Sequence, residues 1–431
     1  MAIRLPGQLT SLFSVGIRGA GLVMRFALSF YIIKFLGLEA SGIYGLCLGA
    51  IGLAPAILGF GLNYFLARDV VGVGKMESGV RVKTRLTVTT LALGAATLLS
   101  VLLSFVIGFH LSAIYALIAV LVWLETYSAD LHIALIAVEL PFQANLLVFV
   151  KMALWVPFVI GLGLISPEFR SIDMVFAGWI AAYVVYAAMF FWFIRSWPLA
   201  KVLQAPVEAS WIRERTRQSW FIYLSDLGMV GSMYVDRYVV SFLLGLKQTG
   251  LYTFYWSLTN ALQTLVGTAV VQLALPSLYK AYRTGSVAGW AAEMRAQILK
   301  VVTFAGVLAA AIFVASLVIF RFMKMPDVAN HMGVFVMLLV ATVTRSTSDV
   351  FNIGLMSIHK DRHYGYTNMA GVLLSAALTL VMIKLFGFAG AGLGTLLTAM
   401  TLAVSRGTIL WRFAHSGEPA APPLDPVRNG A

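Results

Sequence analysis

Apolar runs of eighteen or more residues follow one another along nearly the whole chain, each ended by a short polar or glycine-bearing stretch. Runs of that length are what a helix needs to cross a hydrocarbon core of about 30 Å. The pattern predicts an all-α polytopic membrane protein with about twelve transmembrane helices. They fall at roughly 9–36, 42–67, 86–108, 111–138, 143–165, 173–194, 217–246, 250–276, 297–322, 332–358, 364–386 and 389–412. The stretches between them are too short for an extramembrane catalytic domain.

One short segment occurs twice. Leu36–Tyr44 reads LGLEASGIY and Leu244–Tyr252 reads LGLKQTGLY, with Leu, Gly, Leu, Gly and Tyr matching in place. The offset, 244 − 36 = 208, is close to half of 431 residues. The chain therefore divides into an N-terminal six-helix lobe (1–194), a linker (195–216), a C-terminal six-helix lobe (217–413) and a disordered, proline-rich tail (414–431). An even number of helices per half makes this a parallel repeat, related by an axis along the membrane normal. In the linker, Pro198 and Pro206 break the chain, while Trp197, Trp211 and Trp220 suit an amphipathic helix anchored in the headgroups.

Composition agrees: 60% of residues are hydrophobic and 11% charged, with a mean hydropathy of +0.89. The net charge of +13 first suggests nucleic acid. Its placement argues otherwise, because the basic residues lie in alternate loops. One set of loops carries Arg68, Lys75, Arg81, Lys83, Arg85, Arg195, Lys201, Arg213, Arg215, Arg217, Lys280, Arg283, Arg295, Lys300, Lys360 and Arg362. The other carries only Lys34, Arg170, Lys247, Arg321, Lys324 and Lys384. The positive-inside rule then puts both termini in the cytoplasm, with no nucleic-acid partner. Arg18 and Arg25 interrupt the first apolar run, which speaks against a cleaved signal. The single cysteine, Cys47, excludes an intrachain disulfide. Walker A, HExxH and Gly-x-Ser-x-Gly sequences are absent, as is any cysteine cluster, so no catalytic residue, cofactor or metal site is expected.

Ionisable groups at membrane depth are costly and are therefore candidates for function. Arg237 lies about 15 Å below the outer end of its helix, near the midplane, and Arg25 sits at a similar depth in the first helix. Subtracting 208 from 237 gives Ser29, one helical turn from Arg25, so the two arginines lie on repeat-related faces that can look at one another across the pseudo-twofold. Arg18 shares the Arg25 face, and Lys151 and Arg345 also lie within apolar runs. Glu125, Asp130, Asp236 and Asp349 are candidates for ion coupling or for charge balance. Glu125 shares a face with His132, and Arg345 with Asp349 four residues on suits a structural ion pair. Arg406, nearer a helix end, suits snorkelling.

The Asp236–Arg237 pair inside a span, the apolar run after it and the Leu-Gly-x-x-x-[Ser/Thr]-Gly-[Leu/Ile]-Tyr segment resemble the Wzx-type polysaccharide flippases of the multidrug/oligosaccharidyl-lipid/polysaccharide exporter superfamily. Twelve spans in two halves extend the resemblance over about residues 9 to 412. It implies alternating access around a central cationic cavity and a bacterial inner-membrane location. It also implies an undecaprenyl-diphosphate-linked oligosaccharide as substrate, with polysaccharide polymerase and glycosyltransferases as partners. Arg25 and Arg237 match the family's cavity arginines; Arg18, Lys151 and Arg345 match less closely. Lipid II flippases of the superfamily have fourteen spans, so twelve favours O-antigen, capsule or exopolysaccharide. A drug or cation antiporter of the same superfamily is the alternative, and a membrane polymerase or acyltransferase is a more distant one.

Overall fold

A computed structural model describes residues 7–108, 112–283, 286–323 and 325–416, apart from the side chains of 7–15, 18, 322 and 323. The expected tail therefore lies almost wholly outside the described residues. What is described is helical, with no strand among the described residues. Eleven helical runs are long and apolar enough to cross a membrane. One of them, Ala209–Arg283, has 75 residues. Unbroken it would measure about 110 Å, far more than one bilayer. It is broken at Gly245, whose φ of 82° and ψ of 178° are not helical. It therefore divides into two runs each long enough to cross, which makes twelve such runs among the described residues.

The helices are α1 (Gly7–Tyr31), α2 (Leu38–Gly59), α3 (Leu62–Val70), α4 (Lys75–Ile107), α5 (Ala113–Ala137), α6 (Pro141–Phe149), α7 (Val156–Ile165) and α8 (Ile172–Ile194). Then follow α9 (Leu199–Gln204), α10 (Ala209–Val266), α11 (Gln272–Arg283), α12 (Val287–Met323), α13 (Pro326–Asn330), α14 (Met332–Ser357), α15 (Asp361–Phe386) and α16 (Phe388–His415). Helix α4 begins earlier than the apolar run suggested, so Arg81, Lys83 and Arg85 lie on a helix and not in a loop.

The chain divides into two compact units, Met1–Val230 and Gly231–Ala431. In the first, α5 packs against α2, α3, α4, α6 and α8. The apolar core there includes Leu28, Tyr44, Trp155 and Trp179, with the two indoles stacked 5.9 Å apart. In the second, α14 packs against α11, α12, α15 and α16, and Tyr255 stacks on Phe335 at 5.5 Å. The central helices, α5 and α14, are the fourth span of each half.

The duplication can be followed in the backbone. Gly37 has φ 92° and ψ 177°, nearly the values of Gly245, and 245 − 37 = 208. Both occupy a region essentially closed to residues with a Cβ, at a cost of about 1–3 kcal/mol. Gly245→Ala is therefore expected to lower stability by about 1–3 kcal/mol, read as a lower melting temperature in detergent, with Gly37→Ala behaving alike. After α5, the amides of Val138, Glu139 and Leu140 bond to the carbonyls of Ala134, Ile136 and Leu135. After α14, those of Ile358, His359 and Lys360 bond to Gly354, Met356 and Leu355, each 220 residues on. Glu139 (φ 62°) and His359 (φ 56°) take the same left-handed conformation.

The segment after α8 folds onto the first unit. Lys83 Nζ donates to the carbonyls of Val202 (3.3 Å), Leu203 (2.9 Å) and Ala205. Asp69 accepts from Trp211 Nε1 at 2.8 Å and from Arg215 Nε at 2.9 Å. Trp211 is thus buried against Leu62 and Phe65 and is not a headgroup anchor. Trp220 is exposed, as an anchor should be.

Candidate functional site

The buried charges gather on the two central helices and their neighbours. In the first unit, Lys151 sits on a π-helical turn, Val150–Leu154, that interrupts the fifth span. Such turns recur where a side chain must leave the regular helical register. Here the turn delivers Lys151 Nζ to the Glu125 carboxylate and, at 2.7 Å, to Ser128 Oγ. Both charged side chains are buried. Arg85 and Asp130 form a second pair at 3.0 Å, with side chains 0% and 1% exposed. Asn63 Oδ1 accepts from Arg85 Nε at 2.9 Å, and Thr89 Oγ1 donates to Asp130 Oδ2 at 2.5 Å. Sequence reasoning missed Arg85. Only its four-residue spacing to Thr89 hinted at a polar face inside the bilayer. Arg25 is half-buried, and its guanidinium reaches the Met152 sulfur, which carries no neutralising charge. The Arg18 side chain lies outside the described residues.

The second unit is built differently. The Arg237 side chain is 0% exposed, with its guanidinium 3.5 Å from the centroid of Trp256 and 4.9 Å from that of Tyr234. Its Nη2 makes a long bond, 3.4 Å, to the Met233 carbonyl, while Nε and Nη1 have no acceptor. Asp236 points away. One of its oxygens accepts from the Arg237 amide (2.8 Å) and the other from Tyr252 OH (2.6 Å), which also meets Thr395 Oγ1 at 2.9 Å. Tyr252 ends the repeated LGLKQTGLY segment, so that segment contributes a clamp on Asp236 as well as a turn.

Arg345 is half-buried and donates to Ser232 Oγ at 3.0 Å. The expected ion pair with Asp349 does not close, and Asp349 instead takes the amide of Gln263 at 3.5 Å. Arg406 does not snorkel. It is 5% exposed and donates to Ser348 Oγ (2.8 Å) and Asn368 Oδ1 (2.6 Å). Three polar groups on α14 and α15 offer what a snorkelling arginine would seek at the headgroups: Ser348, Asn368 and Thr367, the last at 3.4 Å from Nε.

The repeat brings out a difference in charge. Adding 220 to Glu125 gives Arg345, and adding 220 to Ser128 gives Ser348. Where the first unit places an acid that neutralises Lys151, the second places a guanidinium. Among the described residues, the within-span ion pairs Lys151–Glu125 and Arg85–Asp130 both fall in the first unit. Arg237, Arg345 and Arg406 have no carboxylate at ion-pair distance among the described residues. No group of three or more metal-ligating side chains occurs among the described residues.

No protein-family model and no curated protein matches the sequence. Solved structures do match in shape. An inward-facing multidrug resistance MATE family transporter of the MOP superfamily superposes with a TM-score of 0.70 at 15% identity, covering 91% of this chain and 94% of its own. The lipid II flippase MurJ, in an inward closed conformation, gives 0.67 at 11% identity, with 93% and 87% covered. An outward-facing MATE transporter gives 0.59 at 16%, with 94% of both chains covered. The protein is a multi-pass membrane protein with the two-lobe helical fold that MATE transporters and MurJ share.

Proposed function

We propose that this protein is a flippase for a polyprenyl-diphosphate-linked oligosaccharide serving cell-surface polysaccharide synthesis, working by alternating access in the bacterial inner membrane. One observation carries the reading: Arg237, Arg345 and Arg406 lie within the spans of the second unit with no carboxylate at ion-pair distance. A guanidinium at membrane depth that closes no ion pair is a candidate for meeting an anion. Forked guanidinium donors match phosphate oxygens bidentately, as a diphosphate requires. Arg345, half-buried, is the first contact in this scheme, and Arg25, which meets only the uncharged Met152 sulfur, is the cation assigned to it from the first unit. Lys151, tied to Glu125, is assigned to structure, as are Glu125 and Asp130; Asp236 and Asp349 balance charge beside the arginines. A substrate with two negative charges leaving a negative interior would gain about 5 kcal/mol from a potential of about 100 mV, so the field alone can drive export. The fold is equally that of MATE multidrug transporters, and Asp236 and Asp349 lie in the same spans without an ion-pair partner; what favours an anionic substrate over a cationic drug is that Arg237, Arg345 and Arg406 outnumber them.

The test is thermal stabilisation of the purified protein by a polyprenyl-diphosphate glycan against a cationic dye. The glycolipid is expected to stabilise and the dye not to. Arg345→Ala should weaken glycolipid binding by about 10–100-fold, the range for one charge-assisted hydrogen bond. Stabilisation by the dye alone would turn the assignment to drug export.

A further inference from the structure

A groove of about 480 Å³ opens in the first unit between α4, α5 and α8, with α9 as its fourth wall. On α4 its lining runs from Gly79 to Thr90, a length of about 17 Å. Several of its polar groups are already engaged. Thr90 Oγ1 and Tyr127 OH bond to each other at 2.7 Å, Ser128 Oγ receives Lys151, and Lys83 caps the end of α9. Most of the remaining lining is aliphatic or aromatic, which suits a hydrocarbon occupant better than water. Left empty, the lining would forfeit dispersion contacts on one side. In a protein set in a bilayer, the material at hand to fill it is a lipid chain.

Three cations stand beside residues that line the groove. Lys75 lies one turn before Gly79 and bonds Ser196 Oγ at 3.0 Å, next to the lining residue Trp197. Arg195 follows the lining residue Ile194, with its guanidinium 3.9 Å from the Trp192 ring, and Lys201 precedes Val202. All three cations are exposed. The nearby acid Glu77 is engaged by Arg81 at 2.8 Å. Gly79 lets α9 come this close, since a Cβ there would sit 2.7 Å from Val202 Cγ2.

We propose that this groove is a binding site for an anionic glycerophospholipid of the surrounding bilayer. One acyl chain lies between α4, α5 and α8, and the phosphate sits on Lys75, Arg195 and Lys201. Because α9 forms a wall, the lipid fastens the segment that joins the two halves, and the leaflet's anionic lipid content tunes how firmly it is held. The proposal is independent of what the protein transports.

The experiment is thermal unfolding of the full chain in detergent, with phosphatidylglycerol or phosphatidylcholine of identical chains added. Phosphatidylglycerol is expected to raise the melting temperature by about 3 °C more than phosphatidylcholine, the size of shift a site bound with roughly 1 kcal/mol of linkage gives. Ala187→Trp, which fills the groove, should abolish the response. The K75Q/R195Q/K201Q variant should respond equally to both lipids. If Ala187→Trp does not fold, a photoactivatable phosphatidylglycerol on the wild-type protein takes its place, expected to label peptides within 79–90 and 183–203. Equal responses in the wild type, a response surviving Ala187→Trp, or labelling elsewhere would overturn the site. Displacement of the label by a polyprenyl phosphate, and not by phosphatidylglycerol, would overturn the choice of lipid and give the groove to a transport substrate's tail.

Discussion

Arg85→Met is expected to destabilise the first unit by about 3–5 kcal/mol, and Asp130→Leu by a similar amount, whereas the double variant should lose only on the order of 1 kcal/mol. Each single change strands a full charge among side chains that are 0% and 1% exposed. Water at the bilayer surface cannot reach that charge, and the remaining partners are neutral. Thr89 can donate one hydrogen bond to an orphaned Asp130, and Asn63 can accept one from an orphaned Arg85. Neither replaces an ion pair. In the double variant both charges are gone, and Thr89 keeps the Arg85 carbonyl, 3.3 Å away, as an acceptor that does not depend on the side chain. What remains is the loss of a donor to Asn63. A double-mutant cycle read by unfolding in mixed micelles measures this coupling. Additive single and double effects would mean that the two side chains do not act as a pair.

The helical architecture was legible because the bilayer enforces it. Backbone polar groups have no water there to turn to, so every long apolar run must be a helix. The repeat was legible only where glycine leaves a mark. Gly37 and Gly245 share a backbone region that other residues avoid, and the surrounding letters match at a constant offset. The second correspondence, between the turns after α5 and α14, has the same hydrogen bonds but different residues at its centre, Glu139 and His359. Two side chains that tolerate a left-handed φ in different ways give no letter match, so the offset of 220 could not be found by eye.

The charges were legible as exceptional but not as partners. Periodicity says that Glu125, Lys151, Arg345 and Arg406 lie within spans, and it gives each a face. Which helix that face meets depends on tertiary packing. Arg345 and Asp349 obeyed the four-residue rule in sequence, yet that rule describes exposed helices, where side chains have nothing better to bond. Inside the second unit, Ser232 and Gln263 offer themselves from α10, and the pair opens. Arg85 was hidden for the opposite reason: it stands among basic loop residues and looks topological until α4 is seen to begin at Lys75.

Arg237→Met should leave the melting temperature unchanged or raised, by up to about 2 kcal/mol of stability, while reducing polysaccharide export to background. The stability side follows from the surroundings of the guanidinium. Fully buried, with Nε and Nη1 lacking acceptors, it costs desolvation that its stacking on Trp256 only partly offsets. Methionine keeps the length and the contact with the indole and removes the unmet donors. Asp236 loses a nearby charge but no hydrogen bond, unlike Asp130 in Arg85→Met, because its oxygens are held by Tyr252 OH and by the amide of residue 237, which any side chain leaves in place. The functional side follows from the same fact. If those two unmet donors serve an anion that arrives during transport, removing them takes away the interaction for which the cost is borne. A cell-surface polysaccharide assay and a melting curve on the same variant check both halves. Loss of stability together with export would make Arg237 a structural cation, and normal export from a stable variant would remove it from the substrate path.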